Sequence, residues 1–155
     1  MSPFISNECV ITFHHDYVSK CYKLPVEHYA NILKVYSLVK KQQLRHCVMV
    51  KKLLFDKTEV ISFNTKNFKA KYSQVTVELH PIGQRKKPET VTELKIAICC
   101  VLEFLVDLHA TDLVHRDLRW PNILRSGDGS WFVIDLETAG PNNEYLLLIS
   151  KCSFP

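Results

Sequence analysis

Hydrophobic and polar positions alternate loosely at the start of the chain and then change to a helical spacing. Alternation over Val10–Phe13 and again over Tyr17–Lys23 predicts two short strands, joined near His14-His15-Asp16. We interpret these polar residues as a turn rather than a metal site, because neighbours on a strand point to opposite faces. From Pro25 to about Lys41, apolar residues recur with near-helical spacing and predict the first helix.

The middle of the chain is richest in strand-forming residues. β-Branched and apolar residues from His46 to about Phe63 predict two strands separated by Asp56-Lys57. The polar stretch Asn64–Ser73 is predicted to be a loop. Gln74–His80 then alternates cleanly, which is typical of a half-buried strand.

A second helix is predicted from Pro88 to about His109. Thr90 and Glu93 have the spacing of a capping box, which makes Thr90 the predicted N-cap residue. Apolar residues occur on most faces of this helix, so we expect it to be largely surrounded by protein.

The stretch Leu113–Leu124, followed by Trp131–Glu137, organises the rest of the chain. It predicts a short apolar strand, a polar loop and then a two-stranded hairpin. The hairpin is predicted to turn at Ser126–Ser130, where Asp-Gly stands between two apolar runs.

Three polar side chains are expected to converge in this arrangement. Asp117, Asn122 and Asp135 are predicted to lie at the ends of neighbouring strands. Two carboxylates and an amide oxygen form a hard, oxygen-rich site, which suits Mg²⁺ rather than zinc.

Composition restricts the class of protein. With 155 residues, of which 46% are hydrophobic, the chain can bury a core and is expected to form one globular unit. Its six cysteines include no Cys-x-x-Cys pair, so free thiols in a reducing compartment are expected. The most hydrophobic stretch, Ile96–Leu108, carries Glu103 and Asp107 and is interpreted as a buried helix. We therefore expect a soluble, cytoplasmic protein without membrane contact.

Basic residues occur in three short clusters, Lys40-Lys41, Lys51-Lys52 and Arg85–Lys87, in a chain of formal charge +4. Such clusters are able to bind phosphate-rich partners. Neither interleaved aromatic residues nor a recognisable motif accompanies them. Solvated surface charge is therefore the favoured interpretation, and nucleic acid is not an expected partner.

The motifs around the three converging residues resemble those of the protein-kinase superfamily. His115-Arg116-Asp117, with Asn122 five residues after the aspartate, resembles the H-R-D-x-x-x-x-N catalytic loop. Asp135-Leu136-Glu137, thirteen residues after Asn122, stands where that family has D-F-G. Leu108-His109 resembles the pair that commonly ends the preceding helix.

The resemblance implies an α+β, protein-kinase-like fold. Residues 1–80 would correspond to the small β-rich lobe with one helix, and residues 81–87 to the hinge. Residues 88–155 would form the start of the helical large lobe, with the catalytic-loop hairpin. A complete protein-kinase domain is longer, so we expect a fragment, a degenerate gene product or a minimal relative. The apolar tail Tyr145–Ile149 could then cover part of the exposed large-lobe face, and a partner protein could cover the remainder.

Catalytic roles also follow from the resemblance. Asp117 would orient the acceptor hydroxyl and take its proton, and Arg119 would steady the γ-phosphate of ATP. Asn122 would hold one Mg²⁺, and Asp135 would connect the metal with the phosphates. His115 is expected to have a structural role.

The resemblance places the nucleotide-binding residues less closely. Lys20 is the best match for the strand lysine that contacts phosphates, with Lys23 as the alternative. Glu27 is the one acid near the start of the first helix, and it lies too close to Lys20 for the family's ion pair. Glu78 and His80 fall where backbone groups of the family meet adenine.

Three departures from the family leave two functions open. Glu137 replaces the glycine of D-F-G, Trp120 replaces a smaller residue, and no glycine precedes Gly83 to form a phosphate-covering loop. The first hypothesis is transfer of the ATP γ-phosphate to a hydroxyl, with protein Ser or Thr as the favoured acceptor and Mg²⁺ as cofactor. The alternative is a catalytically impaired, pseudokinase-like interaction module.

Overall fold

A computed structural model describes residues 4–5, 9–62 and 69–142 of the chain and shows a mixed α+β architecture. The α+β class predicted from the sequence is thus confirmed. In chain order the elements are β1 (Phe4–Ile5), β2 (Cys9–Phe13), β3 (Val18–Pro25), α1 (Val26–Gln42), β4 (Met49–Ser62), β5 (Lys69–His80), α2 (Val91–His109), β6 (Leu113–Val114), β7 (Ile123–Arg125), β8 (Trp131–Val133) and β9 (Gly140–Pro141).

Five strands form one antiparallel sheet in the order β1-β2-β3-β5-β4. β3 and β5 are central, and their register places Lys20 opposite Val77 and Val18 opposite Leu79. Directly opposed residues share a face of a sheet. Lys20 therefore projects from the same face as the buried side chains Val77 and Leu79.

β4 differs from the prediction, which divided this region into two strands at Asp56-Lys57. It is a single strand of 14 residues that pairs with β5 along its length. An irregularity in register between Asp56 and Glu59 accommodates the polar pair without a turn. β5 also begins at Lys69, inside the predicted loop, while residues 64–68 lie outside the described part.

Helix α1 packs its apolar face on the sheet, and its bounds confirm the predicted helix to within one residue. It begins directly after Pro25 and has Lys40 and Lys41 in its last turn, where positive charge complements the helix dipole. Val35 and Tyr36 are fully buried in the core. This helix therefore belongs to the same hydrophobic core as the central strands.

Helix α2 begins as its capping signal predicts. Thr90 Oγ1 accepts a hydrogen bond from the Glu93 N–H at 3.1 Å, and the Glu93 carboxylate accepts one from the Glu89 N–H at 2.8 Å. The helix starts at Val91, three residues later than predicted. The Thr90 side chain accepts from an N–H group that has no partner within the first turn, which explains why the helix starts at this point.

The surroundings of α2 differ from the prediction. One stripe is buried, formed by Ala97, Cys100, Phe104 and Leu108. Val101 and Leu105 are half-buried against the core. In the part of the chain that the structure describes, the other apolar residues of the helix stay exposed, with Val91 at 70%, Val106 at 63% and Leu102 at 55%. The broad hydrophobicity of the helix therefore exceeds what its described neighbours cover.

Several chain-wide expectations can be compared with the described residues. No disulfide joins the five cysteines among them, and Cys152 lies outside. Within the same residues, no helix combines the length and apolar character needed to cross a bilayer.

His14 to Asp16 form the predicted turn between β2 and β3, closed by a hydrogen bond from the His14 N–H to the Tyr17 carbonyl. No three His, Cys, Asp or Glu side chains among the described residues are grouped to hold a metal.

Candidate functional site

A cavity of about 460 Å³ opens between the five-stranded sheet and the β7–β8 hairpin. Most of its wall is apolar, with contributions from Ile11, Val18, Leu79, Ile82, Leu124 and Ile134. Gly83 lies in the connection between β5 and α2, where an added Cβ would come within 2.6 Å of Leu124 and Phe132. The glycine thus allows this connection to pass close to the hairpin. Lys20, Arg85 and Asp135 are the charged residues on this mainly apolar wall.

Lys20 is a buried cation held by two acidic side chains. It projects from β3 with 7% of its surface exposed. Its ammonium group donates to Asp135 Oδ1 and, at 2.7 Å, to Glu137 Oε1. After β8 the chain forms a short 3₁₀ turn, Leu136–Thr138, which contains Glu137 and directly follows Asp135. Lys20 therefore joins the sheet to this segment.

Glu137 is held by a second donor, the hydroxyl group of Tyr22. Burial by itself raises the pKa of Glu137, but the charge of Lys20 and the hydrogen bonds from Lys20 and Tyr22 hold this pKa below its ordinary value. Burial lowers the pKa of Lys20, yet the charges of Glu137 and Asp135 raise it above normal. Lys20 and Glu137 are therefore both ionised at neutral pH.

His115 connects the polar loop after β6 to the end of β8. Its ring is 2% exposed, with Nε2 at 2.9 Å from the Ile134 carbonyl oxygen. Its Nδ1 accepts the Asp117 N–H at 3.2 Å, which makes Nε2 the protonated nitrogen. Thr138 Oγ1 also donates to the His115 carbonyl at 3.1 Å. These contacts connect the loop after β6 with the end of β8 and with Thr138, and the structural role of His115 stays a prediction.

Asp117 and Asn122 face each other across the loop. The Asn122 amide nitrogen donates to the Asp117 backbone carbonyl and to Asp117 Oδ2, each at 2.9 Å. Arg119 Nε lies 3.2 Å from Asp117 Oδ1. Asn122 is buried, whereas the Asp117 side chain keeps 39% of its surface exposed. Asp117 is therefore oriented by its neighbours while remaining open to solvent.

Strand pairing brings Asp135 next to this pair. Ile123 pairs with Val133, and the Ile134 N–H donates to the Asn122 carbonyl at 2.9 Å. Asp135 is the next residue and has left-handed backbone angles, φ 62° and ψ 60°. Asn122 therefore contacts Asp117 directly. Asp135 follows Ile134, the residue that pairs with Asn122 across the hairpin.

These side chains fit a divalent cation by their chemistry. The side-chain nitrogen of Asn122 donates to Asp117, so its side-chain oxygen, Oδ1, remains for a cation. Asp135 offers a second carboxylate oxygen besides the one that Lys20 contacts. Carboxylate and carbonyl oxygens are the ligands that Mg²⁺ prefers.

Arg116, next to Asp117, is fixed by the segment that follows the 3₁₀ turn. Its backbone is left-handed at φ 68°, and its Nη2 donates to the Pro141 carbonyl at 2.6 Å. Gly140 lies beneath the guanidinium, since an added Cβ would come within 2.7 Å of Arg116 Cζ. The absence of a side chain at Gly140 therefore leaves room for Arg116.

The structure distinguishes among the residues predicted to bind the nucleotide. Lys20 contributes to the cavity wall, whereas Lys23 is exposed on the other face of β3. Glu78 and His80 alternate with the buried residues of β5, so their side chains lie on the face away from the cavity. The prediction for Glu78 and His80 concerns their backbone groups and stays a prediction. Side chains of the nearby wall come from Leu79 and the 81–83 connection.

Sequence reasoning missed the role of Glu137 as the partner of Lys20. In the resemblance to the family, this acid stands as a departure from glycine, and the one acid near the start of α1 is Glu27. The side chain of Glu27 is outside the described part of the structure. The available signal was the acid itself, two residues after Asp135 and on the same segment.

Comparison with known proteins shows a similarity over one segment of the chain. No protein-family model matches the chain. Crinkler effector protein 8 of Phytophthora infestans is 42% identical over 67 residues, which cover 43% of this chain and 11% of that protein. The chain therefore matches a minor part of the length of this relative.

Proposed function

We propose that this chain is a protein-kinase-like domain that binds ATP with Mg²⁺ and transfers the γ-phosphate to a hydroxyl, with protein Ser or Thr as the favoured acceptor. The observation that carries the proposal is the position of Lys20. It is a buried, charged lysine on the wall of an apolar cavity, paired to Asp135. Asp135 in turn follows the strand position opposite Asn122, which contacts Asp117.

The cavity wall and Lys20 would bind the nucleotide. Apolar side chains on both sides of the cavity suit a flat adenine ring, because small-molecule sites are largely apolar with a few placed polar groups. The Lys20 ammonium lies on the cavity wall beside Asp135, where it would contact phosphate oxygens. Asp135 and Asn122 would hold Mg²⁺, which neutralises charge that develops on the phosphates.

The exposed loop residues would act on the acceptor. The Asp117 carboxylate is open to solvent and has its backbone N–H fixed by His115, so it can orient a hydroxyl group and accept its proton. Arg119 is 63% exposed beside it and would contact the transferred phosphate with its planar guanidinium. Positioning and charge neutralisation are the main protein contributions to phosphoryl transfer.

Thermal unfolding with and without Mg·ATP tests nucleotide binding. Ligand at about 100 times its dissociation constant stabilises the folded chain by roughly 2.7 kcal/mol, or on the order of 5–10 °C in midpoint. We expect this shift in the unaltered chain and its loss in Asp135→Asn. Asp16→Asn is the matched control, because Asp16 is a surface acid paired with Lys51 at 2.9 Å. A folded chain without any shift would contradict the proposal.

A phosphate-transfer assay separates binding from chemistry. We expect Asp117→Asn to keep the Mg·ATP shift and to lose transfer of labelled phosphate, because the substitution removes the proton acceptor and leaves the Lys20 site intact. Equal residual activity in Asp117→Asn and Asp135→Asn would contradict the separate roles given to the two residues.

A second candidate is a non-catalytic interaction module, which the exposed apolar residues of α2 favour. Val91, Leu102 and Val106 are each more than half exposed among the described residues. Exposed patches of this kind mark interaction surfaces. A chain that shows the Mg·ATP shift but no phosphate transfer to protein acceptors would favour this candidate over an active phosphotransferase.

A further inference from the structure

Lys20 contacts two carboxylates from the same segment, and the geometry indicates different tasks for them. We infer that Glu137 is the positioning residue for Lys20, and that it keeps the ammonium in the cavity when Asp135 binds a cation. The inference rests on the proposed function, because it assigns the residue that organises that nucleotide site.

The contacts of Glu137 give it a fixed position. Its Oε1 accepts from Lys20 Nζ at 2.7 Å and from the Tyr22 hydroxyl. Lys20 and Tyr22 are two residues apart on β3, so both donors project from the same face of the strand. The side chain of Glu137 is 21% exposed, compared with 33% for Asp135. Glu137 is thus the more enclosed of the two acids and is held by two neighbouring donors.

Because Lys20 contacts two acids, Asp135 could exchange the ammonium for a cation while Glu137 keeps its contact with Lys20. In the present arrangement the ammonium contacts Asp135 Oδ1, an oxygen of the candidate metal site. A cation on Asp135 would repel the ammonium, because like charges at close range disfavour each other. Glu137 offers the ammonium a carboxylate that is already in contact. Without the charge of Glu137, Lys20 would depend on Asp135 alone and compete with the cation for it.

Helix α1 contributes no acid to this arrangement in the part whose side chains are described. From Tyr29 to Gln42 the helix contains no acidic residue. It approaches the segment through Asn31 Nδ2, which donates to the Ala139 carbonyl at 3.1 Å. The carboxylate that fixes Lys20 therefore comes from the segment that also carries the candidate metal ligand. Asp135 and Glu137 thus lie two residues apart on one short segment.

The first test uses the chain without ligand, in double-mutant cycles of thermal unfolding. We expect the loss in midpoint for Lys20→Met with Glu137→Gln to be clearly smaller than the sum of the two single losses, because each substitution removes the same contact between the ammonium and the Glu137 carboxylate. The coupling of Lys20 with Glu137 should exceed that of Lys20 with Asp135 in the parallel Asp135→Asn cycle. Additive losses for Lys20 and Glu137 would overturn the inference.

Tyr22→Phe provides a second cycle with Glu137→Gln if Lys20→Met does not fold. It removes only the hydroxyl that donates to Glu137 and retains the ring. We expect Glu137→Gln to lower the midpoint less in the Tyr22→Phe background than in the unaltered chain. Equal losses in both backgrounds would show that Glu137 is not held by this contact and would overturn the inference.

The second test measures the Mg²⁺ concentration that gives half of the ATP-dependent thermal shift. Glu137→Gln should raise this concentration by about tenfold, within the coupling range of residues in direct contact. In a Lys20→Met background, Glu137→Gln should have no further effect, because Glu137 acts through Lys20. A further rise there would identify Glu137 as a direct metal ligand and would overturn the inference. Glu137→Asp should restore part of the affinity.

Glu103→Gln is the control for the Mg²⁺ titration. Glu103 is a surface acid, 3.0 Å from His46 Nε2, and is not on the cavity wall. Its removal should leave the Mg²⁺ dependence unchanged. An unaltered chain with no Mg·ATP shift would overturn the proposed function together with the role of Glu137. A normal shift combined with additive Lys20 and Glu137 variants would overturn the role of Glu137 alone.

Discussion

Lys20 and Arg45 each contact two acids from a distant part of the sequence, yet their surroundings are opposite. Lys20 lies in the cavity with a side chain 9% exposed and contacts Asp135 and Glu137. Arg45 lies on the surface, 55% exposed, and contacts Asp107 and Glu103 of α2. One cation joins the central sheet to the candidate site, and the other joins the connection after α1 to the second helix.

By the number of its hydrogen bonds alone, the surface cluster around Arg45 would be the stronger of the two. Arg45 contacts both oxygens of Asp107 with its guanidinium, at 2.7 and 3.0 Å, and its backbone N–H adds a third bond at 3.0 Å. Water and salt screen such exposed pairs, whereas a buried charge that loses its partner is left uncompensated. Burial, rather than the number of hydrogen bonds, is therefore expected to determine the consequence of breaking each cluster.

The largest effect is expected for Lys20→Met. The substitution leaves Asp135 and Glu137 beside each other without a cation and should lower the free energy of unfolding by about 3 kcal/mol. For a chain of this size the midpoint should fall by roughly 6–12 °C. Lys51→Met is the matched control, because Lys51 is 44% exposed and pairs with Asp16 on the surface. Similar losses in both variants would remove the distinction between the two environments.

A smaller effect is expected for Asp107→Asn. Exposed pairs contribute little, so the thermal midpoint should fall by roughly 2 °C or less at low salt. At about 1 M salt, where the Debye length is roughly 3 Å, the difference from the unaltered chain should shrink further. The loss in Lys20→Met should change little with salt. A salt-insensitive Asp107→Asn effect as large as that of Lys20→Met would contradict the comparison.

Acid titration of stability gives the finest distinction. Hydrogen bonds from the Arg45 side chain and backbone lower the pKa of Asp107 from 3.8 to about 2. A carboxyl with a depressed folded-state pKa contributes stability above its ordinary pKa and loses it as pH falls through the folded value. The small advantage of the unaltered chain over Asp107→Asn should therefore be constant above pH 3.8 and disappear towards pH 2. Chemical denaturation along this range measures it.

Local signals were sufficient for the helices and the turn of the hairpin. The capping residue Thr90, the periodicity after Pro25 and the Asp-Gly turn each act within a few residues, and each predicted its element correctly. Strand β4 was different. Its polar pair Asp56-Lys57 suggested a turn, but pairing with β5 carries the strand through an irregular register. Such pairing is decided by non-local contacts, which overrule local preference.

Part of the candidate site was also accessible from the sequence. The spacing of Asp117, Asn122 and Asp135 follows from one short loop and one hairpin, so their proximity could be predicted. The partner of Lys20 could not, because Glu137 lies 117 residues away and comes into contact only when β3 packs against the 3₁₀ turn. No periodicity or local motif reports a contact across that separation.

Gly140 has a consequence for how this sequence can vary. Its missing side chain leaves room for the Arg116 guanidinium, and Arg116 is the neighbour of Asp117. A methyl group at position 140 would press on that guanidinium, which is the far end of a flexible side chain and would have to shift. The shift would act on the hydrogen bond from Arg116 Nη2 to the Pro141 carbonyl, which fixes the loop to the segment after the 3₁₀ turn. A substitution at position 140 would thus reach the loop that carries Asp117, although neither position 140 nor position 116 lies on the cavity wall.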